Sequence, residues 1–158
     1  MLRARSAWPS LKPAIRTRHT CRVSDSPVTW PRADAAARCP CLSGEIYGAC
    51  CGPVHLGDVV APTAERLMRS RYTAFVFGNS SYLLESWHPS TRPSSLMLDP
   101  EQRWFALEIL GTEHGRMFDT TGTVEFRARY RRRDEVGAQH ERSRFVRESS
   151  RWYYLDAT

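Results

Sequence analysis

The sequence predicts an α+β fold in which two helices pack on a curved antiparallel sheet, with a small cysteine-rich metal knuckle ahead of them. Three observations carry this. An apolar stripe of helical period runs from Ala64 to Val76, the period changes from 3.6 to 2 at Trp104, and four of the five cysteines lie between Cys39 and Cys51. The 158 residues suit one domain of about 120 residues with a single modest core, plus a tail. No apolar run approaches the roughly 18 residues that a membrane span needs.

From the start of the chain, residues 1–37 read as a disordered basic tail. Residues 1–38 hold eight Lys and Arg against Asp25 and Asp34, whereas the remaining 120 residues hold fifteen charges of each sign. The net charge of +6 therefore belongs to the tail, and the body is neutral overall. Pro9, Pro13, Pro27 and Pro31 break any sustained period there. The Arg, Ser and Thr content fits an organelle transit peptide. Against that, Lys12 is the only lysine beside 22 arginines, so the arginine bias is chain-wide. A dispensable extension or an over-extended start, on a cytoplasmic protein, is the favoured reading, and Cys21 is a stray thiol.

Residues 38–54 form the knuckle. Cys39-x-Cys41, eight residues, then Cys50-Cys51 bring four thiolates within reach of one tetrahedral ion, and Ser43-Gly44 supplies the reversal. So short a segment buries too little apolar surface to offset its chain entropy, and metal binding must supply most of its folding free energy. Disulfides and free buried thiols compete with this reading. A vicinal Cys50–Cys51 bridge would be strained, however, and five cysteines are an odd number for a disulfide framework. Zinc is the expected ion, with iron as the competitor that thiolate sites also accept. Four cysteines close the shell, so the site is structural or presents a surface, and hydrolysis at the ion is disfavoured.

Gly52–Asp58 reads as a linker, and the main domain spans 60–158. Thr63 is the N-cap of a first helix with Glu65 in its first turn, and Gly78 ends it. Arg71 is out of pattern on the apolar side of this helix; it pairs with a buried carboxylate or binds an anion. A second helix from about Ser80 to Trp87 follows an Asn79 cap and stops because His88 precedes Pro89. The loop Trp87–Pro93 is stiffened by proline near both ends.

In the first strand Phe105, Leu107 and Ile109 alternate with Trp104, Ala106 and Glu108. Gly111–Gly122 is a loop or a further poorly patterned strand. Next, Val124, Phe126, Ala128 and Tyr130 take a core face while Glu125, Arg127, Arg129 and Arg131 take a solvated one. His140–Glu148 and Arg151–Asp156 are joined by Ser149-Ser150, the spacing of a tight hairpin. That register sets Ser143 opposite Asp156, Phe145 opposite Tyr154 and Arg147 opposite Trp152, the last as a cation–π pair on a half-exposed face.

The concave side of such a cone commonly encloses a pocket. Its candidate lining residues are Tyr72, His88, Arg92, Glu125, Tyr130 and His140, with Ser143 and Asp156 beside them. A His, a carboxylate and a Tyr suffice for general acid–base work if they converge. No catalytic residue is assigned, because no spacing matches a nucleophile or a phosphate loop. His88 and Arg92 suit a small anionic ligand, unless they cap the second helix and tie the loop to the sheet. The run Arg127-Arg129-Arg131-Arg132-Arg133 lies among Glu125, Asp134, Glu135 and Glu141 and lacks interleaved aromatics. It reads as a solvated edge and not as a nucleic-acid site.

Cys39-Pro40-Cys41-x-Ser43-Gly44-x-x-Tyr47-x-x-Cys50-Cys51-Gly52-Pro53 resembles the SEC-C motif, a zinc knuckle best known from the C-terminal tail of the translocase ATPase SecA. There the last ligand is often His. The residues that follow are similar to the YchJ family: Thr63-Ala64-Glu65-x-Leu67-Met68-Arg69-Ser70-Arg71-Tyr72, Trp87-His88-Pro89-Ser90-Thr91-Arg92-Pro93, Ser143-Arg144-Phe145 and Arg151-Trp152-Tyr153-Tyr154. The resemblance runs from about Cys39 to Asp156. It implies a zinc knuckle on a nuclear transport factor 2-like (cystatin-like) cone and carries no agreed activity. Leu42 and Glu45 depart from the motif, where Gly and Lys are usual, which puts a docking surface shared with SecA in doubt. The expected role is a small adaptor with a protein partner; the alternative is a small-molecule-binding protein or enzyme using the cone pocket.

Overall fold

The computed structural model describes residues 29–158. A 3-10 turn at Tyr47–Ala49 and helix α1 (Cys51–Leu56) close the knuckle. Helices α2 (Ala64–Phe77) and α3 (Ser80–Glu85) follow, then strands β1 (Gln102–His114), β2 (Thr121–Arg132), β3 (Glu135–Glu148) and β4 (Arg151–Ala157). The strands form one antiparallel sheet in the order β1-β2-β3-β4, with the helices on its concave face.

The caps lie where the side chains demand them. Thr63 is extended and its hydroxyl accepts from the Arg66 amide, and Asn79 accepts from the Tyr82 amide. Gly78 ends α2 with φ 69°, and a Cβ there would lie 2.3 Å from the Trp30 ring, so that position requires glycine twice over. Trp30 falls in the stretch assigned to the tail. Residues 29–37 in fact pack on the body: Arg103 donates to the Thr29 carbonyl, Gly48 N–H to the Ala35 carbonyl and Tyr47 N–H to the Ala37 carbonyl. The rest of the tail expectation, Cys21 included, lies outside the described residues.

Five expectations about the elements need correction. Gly52–Asp58 is not a linker, because Cys51–Leu56 is helical; Pro53 sits in the first turn, where its missing N–H is not needed. The second helix ends at Glu85, not Trp87. The stretch from Gly111 continues β1 as far as His114, and β3 begins at Glu135. In β1 the alternation fails at two bulges, which leave Phe105 and Leu110 without partners and turn them outward. Trp104 therefore shares the core face with Leu107, against the phase read from sequence, and the extra residues help to curve the sheet.

The β3–β4 hairpin has Ser149 and Ser150 both at positive φ, 48° and 67°, as a two-residue turn requires. Phe145 pairs with Tyr154 and Arg147 with Trp152, as expected. A bulge after Arg144 shifts Ser143 onto Ala157 instead of Asp156. Trp152 is fully buried and its indole N–H donates to the Pro62 carbonyl; the guanidinium–ring contacts come instead from Arg71 and Arg151. The core joins α2, α3 and the sheet through Leu67, Tyr72, Phe75, Phe126, Phe145 and Trp152, and the four cysteines of the knuckle belong to the same buried cluster. No helix among the described residues is long and apolar enough to cross a membrane.

Candidate functional site

Cys39 and Cys41 enter from the turn that precedes the 3-10 segment, and Cys50 and Cys51 from the start of α1. The turn is closed by Leu42 N–H on the Cys39 carbonyl, with Leu42 at φ 59°, and by Cys39 N–H on the Glu45 carbonyl. All four sulfurs lie within 4.8 Å of one another, and the residues are at most 2% exposed. Cys41 and Cys50 are 3.5 Å apart and Cys50 and Cys51 3.9 Å. A tetrahedral ion with Zn–S bonds of about 2.3 Å sets its sulfurs about 3.8 Å apart, so the cluster has the size of a four-thiolate shell. Disulfide bonds need about 2.05 Å, and all four cysteines are free. Without an ion between them the buried thiols share protons by mutual hydrogen bonds, which lower the Cys39 pKa and raise that of Cys51; an ion that displaced those protons would leave four thiolates.

One face of α2 supports this cluster. Arg66 donates to Cys50 Sγ at 2.9 Å, Arg69 to the Cys41 carbonyl at 2.9 Å, and Thr73 to Cys51 Sγ at 3.4 Å. Positions 66, 69 and 73 share one helical face. Burial lowers the Arg66 pKa, but its bond to Cys50 and the negative fields of Cys50, Cys51 and Cys41 outweigh that and raise it. Arg66 thus supplies a positive charge beside the sulfurs. His55 of α1 completes the joint. Its Nε2–H donates to the Ser70 carbonyl at 2.8 Å, which fixes the tautomer, so Nδ1 accepts from the Tyr47 hydroxyl at 2.9 Å. Burial is the main cause of the lowered His55 pKa. Sequence reading passed over Arg66 and Thr73 because their partners are 16 or more residues away, and His55 because it lies in the supposed linker.

The six pocket candidates do not converge. Tyr72 is in the core on α2, its ring edge-on to Trp104. Glu125 and His140 pair with each other at 2.6 Å on the outer face of the sheet, opposite the face that carries Val124 and Phe126. Tyr130 packs on Trp104 from the interior strand β2, above Gly137, where a Cβ would strike its ring. His88 lies between Ser90 Oγ at 2.6 Å and Glu148 Oε1 at 3.1 Å, and Arg92 is exposed. The Trp87–Pro93 loop is tied to β4 by His88 N–H on the Tyr154 carbonyl and Thr91 Oγ1 on the Leu155 carbonyl. Asp156 faces outward and pairs with Arg144. In the arginine run, Arg127, Arg132 and Arg133 pair with Glu108, Asp99 and Glu101, while Arg129 and Arg131 are exposed.

Of the candidates, Ser143 does face the concave side, and the groups beside it there are ones the sequence reading did not name for the pocket. Gln139, Glu141 and Ser143 point inward from β3 in phase with Phe145. Glu141 accepts from Ser143 Oγ at 2.7 Å and from Gln139 Nε2 at 3.1 Å, is hydrogen-bonded to Tyr154, and has its pKa raised by burial. Arg71 is 2% exposed and donates through NH1 to the Leu83 carbonyl and to Ser86 Oγ, both at 2.7 Å. Its guanidinium lies over the rings of Tyr154, at 4.5 Å, and Trp87, at 5.3 Å. Among the described residues it makes no direct ion pair, but the buried Glu141 carboxylate acts on it through space, as one of the two sequence-based readings of Arg71 expects in looser form.

Comparison with known proteins places this geometry among close relatives. The family description "YchJ, middle NTF2-like domain" matches residues 63–157. A UPF0225 protein of Streptomyces coelicolor is 58% identical over 118 residues, covering 75% of this chain and 92% of its own. A UPF0225 protein of Corynebacterium glutamicum is 52% identical over 117 residues, covering 74% of this chain and 93% of its own. The solution structure of a SEC-C motif containing protein from Rhodopseudomonas palustris superposes with a TM-score of 0.66 at 33% identity, over 76% of this chain and 96% of that one. The crystal structure of one from Psychrobacter arcticus gives 0.63 at 30% identity, over 77% and 82%.

Proposed function

This chain belongs to the YchJ family, and on that footing we propose that it is a zinc-binding adaptor whose metal knuckle presents a surface to a protein partner. The observation that carries the reading is the cluster of four buried sulfurs, all within 4.8 Å of one another. Four thiolates suit zinc and leave no open position, so the knuckle holds shape and performs no chemistry at the ion. Three apolar side chains stand outward on or just beyond the knuckle, Leu42 58%, Ile46 44% and Leu56 78% exposed, among the polar Ser43 and Glu45, a mixture that suits contact with another protein. The partial neutralisation of the arginine run within the sheet supports a protein partner over nucleic acid.

Elemental analysis of the purified full chain tests the metal: one equivalent of zinc is expected, and near zero in Cys41→Ser. Iron in place of zinc, or full metal content in Cys41→Ser, refutes the assignment. The adaptor role is tested by comparing wild type with Leu42→Asp/Ile46→Asp, both zinc-loaded, as bait. A protein held by wild type and lost by the double variant supports the role, and equal capture refutes it.

A further inference from the structure

The arginine run of β2 divides once its partners are assigned. Arg127 is taken by Glu108 at one end, and Arg132 and Arg133 by Asp99 and Glu101 at the other. Between them Arg129 and Arg131 are exposed, and their side chains make no hydrogen bond or ion pair among the described residues. Both alternate with the core-facing Ala128 and Tyr130, so they stand on the convex face of the sheet. Arg103 of β1 lies directly opposite Arg131, and its guanidinium donates only to the neutral Thr29 carbonyl. Like charges directly opposite in an antiparallel pair repel and weaken it. Three cations thus share one corner of the sheet, and none of them pairs with a carboxylate among the described residues.

The corner has apolar flanks. The bulge after Trp104 turns Phe105 outward on one side, and Val136, opposite Arg131 on β3, is exposed on the other. Such flanks lower the local dielectric and strengthen an ion pair made between them. Outward positions on a strand recur about every 7 Å, and an extended peptide repeats at the same interval. Carboxylates at i and i+2 of such a peptide therefore fall in step with Arg129 and Arg131, each of which offers a fork for two oxygens. A nucleic-acid strand would instead carry its phosphates on into the guanidiniums already held by Glu108, Asp99 and Glu101, and would meet those carboxylates. An acidic pair ends where the free guanidiniums end.

We propose that this convex corner docks an extended acidic segment of a protein partner, with Asp or Glu at i and i+2 held by Arg129 and Arg131 and Arg103 adding its field. The corner is on the opposite side of the sheet from α2 and the cysteine cluster, so the proposal goes beyond the knuckle reading without resting on it.

The test uses the isotopically labelled full chain at constant ionic strength, with two peptide probes. One is acetyl-Gly-Ser-Glu-Thr-Glu-Ser-Gly-amide, and the other is its isomer with the two Glu adjacent. The backbone amide signals of Phe105, Arg129, Arg131 and Val136 should shift saturably with the first peptide and respond more weakly to the second. Affinity for the first should fall by about 5- to 30-fold in Arg129→Gln/Arg131→Gln, the worth of two surface ion pairs at the upper end of their range. The melting temperature should not fall, because the change removes repulsion. Equal affinity for the two peptides, equal affinity in the folded double variant, or shifts confined to residues outside the corner would each overturn the proposal. A short oligouridylate that moves the same signals at lower concentration would assign the corner to nucleic acid and overturn it as well. If the double variant does not fold, the comparison of the two peptides on wild type decides alone.

Discussion

Replacing Arg66 by Gln should loosen the metal without unfolding the domain. Zinc with four thiolates carries two net negative charges, and Arg66 NH1 sits 2.9 Å from one of the sulfurs. A hydrogen bond between charged groups contributes about 1.5–3 kcal/mol when buried. Arg66 is only half-buried, so solvent screening reduces this to about 1–2 kcal/mol. At about 1.4 kcal/mol per decade, that is a loss of roughly 5- to 30-fold in zinc affinity, in line with the usual effect of removing an outer-shell partner of a metal ligand. Gln keeps the helix propensity and a donor amide, so α2 itself should be unaffected. The assay is competition with a chromogenic chelator, read as the zinc retained at equilibrium, with circular dichroism confirming equal helix content. Unchanged retention would refute the assignment of Arg66 as the charge that steadies the thiolates. A joint loss of zinc and helix would show that Arg66 serves the fold first.

Two further outcomes follow from the same region. Leu42→Gly should stabilise the knuckle by about 0.5–1 kcal/mol, because a left-handed backbone costs an L-residue about 1–2 kcal/mol and the extra freedom of glycine when unfolded returns only part of that; slower zinc loss to chelator would confirm it and faster loss would contradict it. His55 has a folded pKa below its unfolded one, so the unfolded state binds more protons and the stabilisation present above about pH 6.5 fades as pH falls toward the folded pKa. Melting temperatures between pH 7.5 and 5.5 should therefore drop more steeply in wild type than in His55→Gln, and parallel curves would remove His55 from the account.

What could be read in the sequence was whatever is decided locally. Thr63, Asn79, Gly78 and the Ser149-Ser150 turn each act on neighbours within four residues, and all four lie where their chemistry placed them. The cysteine spacing is local in the same sense. The pocket was illegible because it depends on which strand phase faces inward after the bulges. Glu125 and His140 fall on the outer face, while Glu141 and Ser143 are in step with Phe145 and face the helices. Ser143 is among the sequence candidates, and counting in twos back from Phe145 reaches Glu141 as well. Arg71 stood out as a charge on an apolar stripe, but its neutral partners come from α3 and β4, beyond the reach of any spacing rule.

The side chains that steady the cysteine cluster arrive late in the chain. Cys51 is made about 26 residues before α2 is complete at Phe77, an interval of about 1–5 s at about 5–20 residues per second of synthesis. During that time the four thiols exist without Arg66, Arg69 and Thr73. The emerging chain thus passes through a stage at which its sulfurs are nucleophilic and uncovered, and mispairing is governed by the oxidant present and by how soon metal is captured. A synonymous change that slows translation between Cys51 and Phe77 would lengthen that stage and alter the yield of correctly loaded protein while leaving the amino-acid sequence intact.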